Sequence, residues 1–257
     1  MAVPQSFVTA AILRVVRRLP GYPDLRVMDL SCGRGETLAP LVRDGCEGRG
    51  THYRPDDYQL TGAAGVVETE GLCIDEGVDL LKPLRYPDAS FHVVILSEVV
   101  EHLQNYLPVI HEVGRILEPG GHLVLSTPNI ARLHSRLHYF WSGTHKLIRR
   151  RVGWDIPPDE IYAYHINPVD FPLLHTALHQ AGMRVRQLEW TRFKARHAWL
   201  FLLYPLVWLV TKRETTGRNF DRVRREGERD LFRWMTHPAM LASEQLLILA
   251  QKKHDRD

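Results

Sequence analysis

Residues 26–35 read RVMDLSCGRG: Val27, Met28 and Leu30, with Asp29 among them and the small Ser31 behind, run into a Gly-x-Gly turn at Gly33 and Gly35. Past the turn, residues 37–42, TLAPLV, have helical spacing. The stretch therefore reads as a buried parallel strand, a tight turn and a helix. Glycine at 33 and 35 lets the backbone take positive φ and pass close to a ligand, while the helix start presents unpaired N–H groups, as in a nucleotide-type site. Gly-x-Gly alone also marks turns made for steric reasons. The acid Asp29 inside the strand, and four stretches that follow at set distances, sharpen the reading.

Those stretches are Asp79-Leu-Leu-Lys-Pro-Leu84, Tyr86-Pro-Asp-Ala-Ser-Phe91, Val93-Val-Ile-Leu-Ser-Glu-Val-Val-Glu-His-Leu103 and Arg115-Ile-Leu-Glu-Pro-Gly-Gly-His-Leu-Val-Leu-Ser-Thr-Pro-Asn129. In that order they resemble the class I S-adenosylmethionine-dependent methyltransferases, in the branch with an "sEVlEHl" run and an "LkPGG" turn. The resemblance covers roughly residues 25–190, and four motifs in order are far more specific than one. It implies an α/β, doubly wound, mostly parallel seven-stranded sheet with an antiparallel last strand. It also implies S-adenosylmethionine as cofactor and a small-molecule methyl acceptor.

The family's site residues carry over by position. Asp29, Ser31, Gly33 and Gly35 form the first strand end and loop; Asp79 accepts the adenine amine, and the Leu80 N–H reaches a ring nitrogen. Ser97 and Glu98 stand at the end of the fourth strand, where ligands bind in open sheets. Two departures stand out. Ser31 replaces the first loop glycine, which implies ordinary φ and adds a hydroxyl. At the end of the second strand, read as Gly50–Arg54, His52 stands where the family has the acid for the ribose diol, so Asp56 or Asp57 reaches back from the next turn or another group holds the diol.

In 257 residues, 44% of them hydrophobic, one sizeable core fits, so residues 1–257 read as one domain. Residues 1–24 form an amphipathic lead-in whose arginines follow its apolar residues, unlike a signal peptide. Three scattered cysteines, Cys32, Cys46 and Cys73, fit a reducing compartment and no disulfide framework. A net charge of +3 does not imply nucleic acid. Residues 130–154 contain no Asp or Glu, and from 191 onward fourteen Lys and Arg face eight Asp and Glu. The plain reading is a solvated basic face; the sharper one is attraction to an acidic substrate or a membrane surface.

Elsewhere strands and helices alternate. Helices are expected at Phe7–Leu19, Thr37–Asp44, from Val99 through Leu117, and at Phe171–Gly182; strands at Gly71–Ile74, Phe91–Leu96, His122–Ser126, Met183–Trp190 and Gln245–Lys252. Glu101 and His102 fall in the first turns of the helix from Val99. His102 is a candidate general base, with a structural imidazole as the alternative; His165, in the family's approach to the last helix, is the second. Asn129 orients substrate or caps a helix. The pairs His134/His138 and His175/His179 lack a third ligand, so no metal is expected.

Two variable regions, 130–165 and 191–243, hold specificity. The second inserts roughly fifty residues, by the family pattern, into what is usually a hairpin. Its residues 198–211, AWLFLLYPLVWLVT, are too short to span a bilayer. Aromatics between Arg192, Lys194, Arg196 and Lys212, Arg213 suit a membrane surface, with a buried hairpin over the sheet as the alternative; Glu214–Trp234 reads as an exposed charged helix. The expected protein is a cytoplasmic methyltransferase, attached peripherally to the inner membrane face if the insertion meets lipid. Its acceptor is then hydrophobic or lipid-linked, such as a prenylated quinone precursor or a polyprenyl-linked sugar. The rivals are a non-catalytic relative that binds a partner and a nicotinamide enzyme; Glu36 and Thr37, where the latter's third glycine would stand, disfavour it.

Overall fold

A computed structural model describes residues 6–53, 71–145, 154, 157, 165–216 and 221–254. The chain runs α1 (Phe7–Val16), β1 (Arg26–Asp29), α2 (Leu38–Asp44), β2 (Glu47–Thr51), β3 (Cys73–Asp75), β4 (Phe91–Ser97), a 3₁₀ turn at Val100–His102, α3 (Leu107–Ile116), β5 (Leu117–Pro128) and α4 (Leu133–Ser142). It continues through α5 (Phe171–Gln180), β6 (Met183–Glu189), a 3₁₀ segment at Ala195–Leu203, α6 (Tyr204–Glu214), α7 (Arg222–Met235), α8 (Pro238–Ala242) and β7 (Gln245–Lys252). α1 starts where the Ser6 hydroxyl accepts the Thr9 N–H at 3.0 Å. It buries Val8, Ala11, Ile12, Val15 and Val16, then stops short of Leu19, whose burial lies in the following turn.

The seven strands lie in the order β3-β2-β1-β4-β5-β7-β6. β7 is antiparallel to both β5 and β6; the other pairings are parallel. Alternate side chains feed two cores. Val27, Val93, Ile95 and Val124 meet α1 and α2 on one face; Met28, Val94, Leu96 and Leu123 meet α3 and α5 on the other. β1 leads to β2 on one side, and the chain returns through β4 on the other. That reversal leaves a crevice at the carboxyl ends of β1 and β4.

Three expected elements shift. β2 precedes its expected place because Gly48 and Gly50 belong inside it: a Cβ at 48 would stand 2.3 Å from Val42 Cγ2, and one at 50 would stand 2.5 Å from Cys32 Sγ. These glycines admit α2 and the loop. The helix expected from Val99 is broken into the 3₁₀ turn and α3, and Asn105 Oδ1 accepts the Leu107 N–H at 3.0 Å at the new start. β5 begins at Leu117, because Gly120 at φ +83° lets the turn stay in the sheet and a register shift between Phe91 and Val93 of β4 absorbs the extra residues.

The insertion is two-faced. Leu200 is buried with Leu133 and Leu241, and Phe201, Leu203, Tyr204 and Val207 pack around them. Trp199, Leu202, Leu206 and Leu209 are 58%, 82%, 59% and 59% exposed, and Phe140 and Trp141 at the end of α4 are 75% and 77% exposed. α7 carries the expected charged face and buries only Trp234. No helix among the described residues is long and apolar enough to cross a membrane.

Candidate active site

Where β1 ends, Asp29 is 2% exposed, and burial pushes its carboxyl up to about 8. The backbone then turns with Ser31 at φ +63°, Gly33 at +55° and Gly35 at +76°. Ser31 thus takes the left-handed conformation that its identity argued against. The end of β2 holds it there: the Ser31 N–H donates to Thr51 Oγ1 at 2.9 Å, the Cys32 N–H to Thr51 O at 3.0 Å, and His52 Nε2 to Gly33 O at 2.5 Å. That last bond requires the Nε2–H tautomer, and the ring is 96% buried by its 4% exposure. His52 therefore serves the loop. Among the described residues a Cβ at Gly33 would meet nothing within 4 Å, so they leave open space beside the loop.

Beyond β3, Asp79 Oδ1 accepts the Leu81 N–H at 3.0 Å, and Leu80 is buried. At the end of β4, Ser97 Oγ lies 3.1 Å from Ser126 Oγ. Glu98 sits at φ +56°, its carboxylate taking Ser126 Oγ at 2.9 Å and Gln245 Nε2 at 2.9 Å. Asp29, the loop, Asp79 and Glu98 thus all follow strands whose carboxyl ends meet at one sheet edge. Asp56 and Asp57 lie outside the described residues.

The two candidate bases meet. The rings of His102 and His165 stand edge to face with centroids 4.8 Å apart. Asn167 joins their segments, its N–H donating to Glu101 O at 3.0 Å and its Nδ2 to Leu103 O at 3.2 Å. Glu101 is 2% exposed and accepts Thr127 Oγ1 at 3.0 Å. Ligand atoms of Glu101, His102 and His165 all lie within 4.8 Å of one another. A small cleft here is lined by Glu101, Thr127, Ile130, His145 and His165. Sequence reasoning missed Glu101 and Asn167. The Glu-His pair was visible, but its break from the helix, which places Glu101 in the cleft lining and His102 against His165, was not.

Other candidates resolve into structure. Asn129 is buried, donates to Met240 O at 2.8 Å and Ser243 O at 3.0 Å, and accepts the Ala131 N–H at 3.0 Å. It therefore ties α8 to the start of α4. His134 stacks on His197 at 4.1 Å, and His138 Nδ1 lies 3.0 Å from Thr144 O. His175 Nε2 lies 2.9 Å from Asp230. Arg132, expected on a solvated face, is 7% exposed.

An order-reversing sheet with a glycine loop, strand-end acids and a base-bearing cleft defines a nucleotide-type transferase. Residues 5–212 match the sequence model of the methyltransferase domain family. The chain belongs to this family of S-adenosylmethionine-dependent methyltransferases. Among curated proteins it is similar to the ubiquinone biosynthesis O-methyltransferase of Cereibacter sphaeroides, 30% identical over 152 residues, 55% of this chain and 58% of that one. It is similar also to that of Methylocella silvestris, 31% identical over 105 residues, 41% of this chain and 40% of that one. It thus spans about two fifths to three fifths of the length of these relatives. Its fold is that of a methyltransferase from Archaeoglobus fulgidus, with TM-score 0.55, 19% identity and coverage of 95% and 93% of the two chains. The Mesorhizobium loti enzyme superposes with TM-score 0.53, 18% identity and coverage of 95% and 98%.

The residues fit the cofactor of this family. The open space beside Gly33 admits a ligand against the backbone, and a buried carboxyl at Asp29 suits a cationic partner.

Proposed function

We propose that the protein transfers a methyl group to a hydroxyl oxygen of a hydrophobic acceptor that it takes up at a membrane surface. The observation that carries this reading is the exposure of Trp199, Leu202, Leu206 and Leu209 on the insertion and of Phe140 and Trp141 on α4, with Arg192, Lys194, Arg196, Lys212 and Arg213 on either side of the insertion's apolar stretch in sequence. Aromatic and aliphatic side chains between cations match an anionic lipid headgroup layer. The name of these relatives, ubiquinone biosynthesis O-methyltransferase, supports oxygen as the acceptor atom.

S-adenosylmethionine supplies an electrophilic methyl on a sulfonium. The chain's part is mainly placement. Asp29, Ser31, Gly33, Gly35, Asp79, Leu80, Ser97 and Glu98 are proposed to hold the donor at the strand ends, with Asp56 as the ribose candidate. His102, with His165 against it, takes the hydroxyl proton as the oxygen attacks. Glu101, fixed by Thr127, stands beside this pair.

The test is turnover with a tailed catechol in vesicles containing phosphatidylglycerol, comparing wild type with Trp199→Ser/Leu202→Ser/Leu206→Ser. The variant should lose vesicle binding and turnover of the tailed catechol while methylating a short soluble catechol at the wild-type rate. Equal sedimentation of both proteins with vesicles sinks the membrane reading. A second reading rests on the mutual spacing of Glu101, His102 and His165. A divalent cation there lowers the pKa of the acceptor hydroxyl, in which case chelation abolishes turnover and added Zn²⁺ or Mn²⁺, which suit two imidazoles and a carboxylate, restores it.

A further inference from the structure

The first turn of α4 carries largely buried positive charge that the described residues neutralise only in part. Arg132 is 7% exposed. Its Nε donates to Ser135 Oγ at 3.0 Å, and its carboxylate partner, Glu244, stands 3.9 Å from Nη1. Glu244 is already engaged by Lys194 Nζ at 2.6 Å and Arg192 Nε at 3.7 Å, so three cations share one acid. One turn on, Arg136 folds back along the helix to donate through Nε to Ala131 O. Its Nη2 is sealed from solvent and, among the described residues, has no hydrogen-bond partner. Burial lowers the pKa of both guanidiniums. An unpaired buried charge is costly in the free protein, and such a cost persists where a ligand offsets it.

The position gives this charge a use. α4 starts five residues after Pro128, where β5 ends. Ile130, next to the Ala131 carbonyl that Arg136 holds, lines the cleft with Glu101 and His165. From the far end of α4, His145 enters the same cleft, stacked on Tyr139 at 4.5 Å. Its Nδ1 is likewise buried and, among the described residues, without a hydrogen-bond partner. We propose that this edge of the cleft binds an acidic group, a carboxylate or a phosphate, of the methyl acceptor, with Arg136, behind Ile130, as the pairing cation; Arg132 lines the neighbouring cavity with His134 and Phe193. The proposal rests on the methyltransferase reading of the same cleft. It makes the acceptor an amphiphile with a charged head near the reacting hydroxyl. The guanidinium fork suits both anions, because two parallel N–H groups match two oxygens of either.

The test begins with thermal unfolding of the full chain in inorganic phosphate, for wild type, Arg136→Met and Arg136→Lys. Arg136→Met removes the uncompensated charge and keeps the aliphatic stem. It should melt at or above the wild-type temperature without phosphate and lose the phosphate-induced rise that wild type and, more weakly, Arg136→Lys show. A lower melting temperature for Arg136→Met with its phosphate response intact marks a structural arginine and overturns the proposal. A wild type indifferent to phosphate overturns it as well.

Turnover then separates acceptor from lipid. With 3,4-dihydroxybenzoate, Arg136→Met should raise KM about tenfold or more at unchanged kcat, and with uncharged catechol it should change neither. Equal effects on both acceptors refute the anchor while leaving the methyltransferase reading intact. Absence of turnover on any acceptor strikes that reading, and the phosphate arm is read without it. Sedimentation with phosphatidylglycerol and phosphatidylcholine vesicles should be the same for wild type and Arg136→Met. Selective loss with phosphatidylglycerol would assign Arg136 to a lipid headgroup and overturn the acceptor assignment.

Discussion

Asp29→Asn isolates the most perturbed carboxyl of the site. Burial raises the Asp29 pKa from 3.8 to about 8 in the folded protein. Between those values the folded state keeps a proton that the unfolded state has released. The contribution to stability is therefore complete below the unfolded pKa and lost as pH rises through about 8. At 1.36 kcal/mol per pH unit, the loss at pH 7 is about 4 kcal/mol. Asparagine cannot ionise, so the variant escapes it. The stability of Asp29→Asn minus that of wild type should be near its minimum at pH 4 and grow by about 1.4 kcal/mol per unit toward pH 8. Urea unfolding of the cofactor-free proteins across that range measures the difference directly, and other titrating groups cancel in the subtraction. A difference that is flat with pH refutes the reasoning. Cofactor affinity should move the opposite way: in the proposed site the donor's positive charge draws Asp29 into its ionised form, so binding to wild type at pH 7 releases nearly one proton. Asp29→Asn should bind more weakly and release none, as calorimetry in buffers of different ionisation enthalpy will show.

Gly50→Ala should destabilise by about 1–3 kcal/mol, since its methyl would stand 2.5 Å from Cys32 Sγ in a tightly packed layer; a melting temperature equal to wild type would mean that the loop yields. Ser31→Gly keeps the backbone bond to Thr51 and removes a side chain from φ +63°. It should gain about 1 kcal/mol, less what glycine adds to the entropy of the unfolded chain, and a loss in chemical unfolding would show that the hydroxyl matters more than the backbone.

The fold was legible because its signals are local and repeated. FHVVIL at 91–96 is fully apolar apart from His92 and became β4, while QLLILAQK became β7 with the bounds expected of it. Where reading failed, the cause was a partner distant in sequence. Gly48 and Gly50 look like turn residues until Val42 and Cys32 are placed against them. Helical spacing from Val99 to Leu117 holds on average, but Asn105 and Pro108 restart the helix, and the break leaves Glu101 lining the cleft and His102 against His165. The position of Glu98 at a strand end could be anticipated from order alone. The meeting of His102 with His165 depends on the Asn167 bonds to Glu101 and Leu103, which no spacing rule contains. Arg132 and Arg136 were visible as a run of positive charge, and only burial separates them from an ordinary basic surface.

The two departures from the family pattern, at 31 and 52, are one device. A non-glycine residue in left-handed backbone costs about 1–2 kcal/mol, and a glycine-rich loop left to itself is free to leave the shape a ligand needs. Here the end of β2 makes three bonds to that loop: Thr51 Oγ1 takes the Ser31 N–H, Thr51 O takes the Cys32 N–H, and His52 gives its Nε2–H to Gly33 O. At about 0.5–1.5 kcal/mol net each, three such bonds outweigh the strain at one serine. Because His52 is 4% exposed, the bond it makes is shielded from competing water. The residue standing where the family carries its ribose acid is turned inward and holds the loop. A carboxylate at position 52 could not replace it, since a carbonyl oxygen needs a donor and an ionised acid has none. Recognition of the diol therefore falls to residues beyond His52, and histidine at this strand end is compatible with an intact cofactor site.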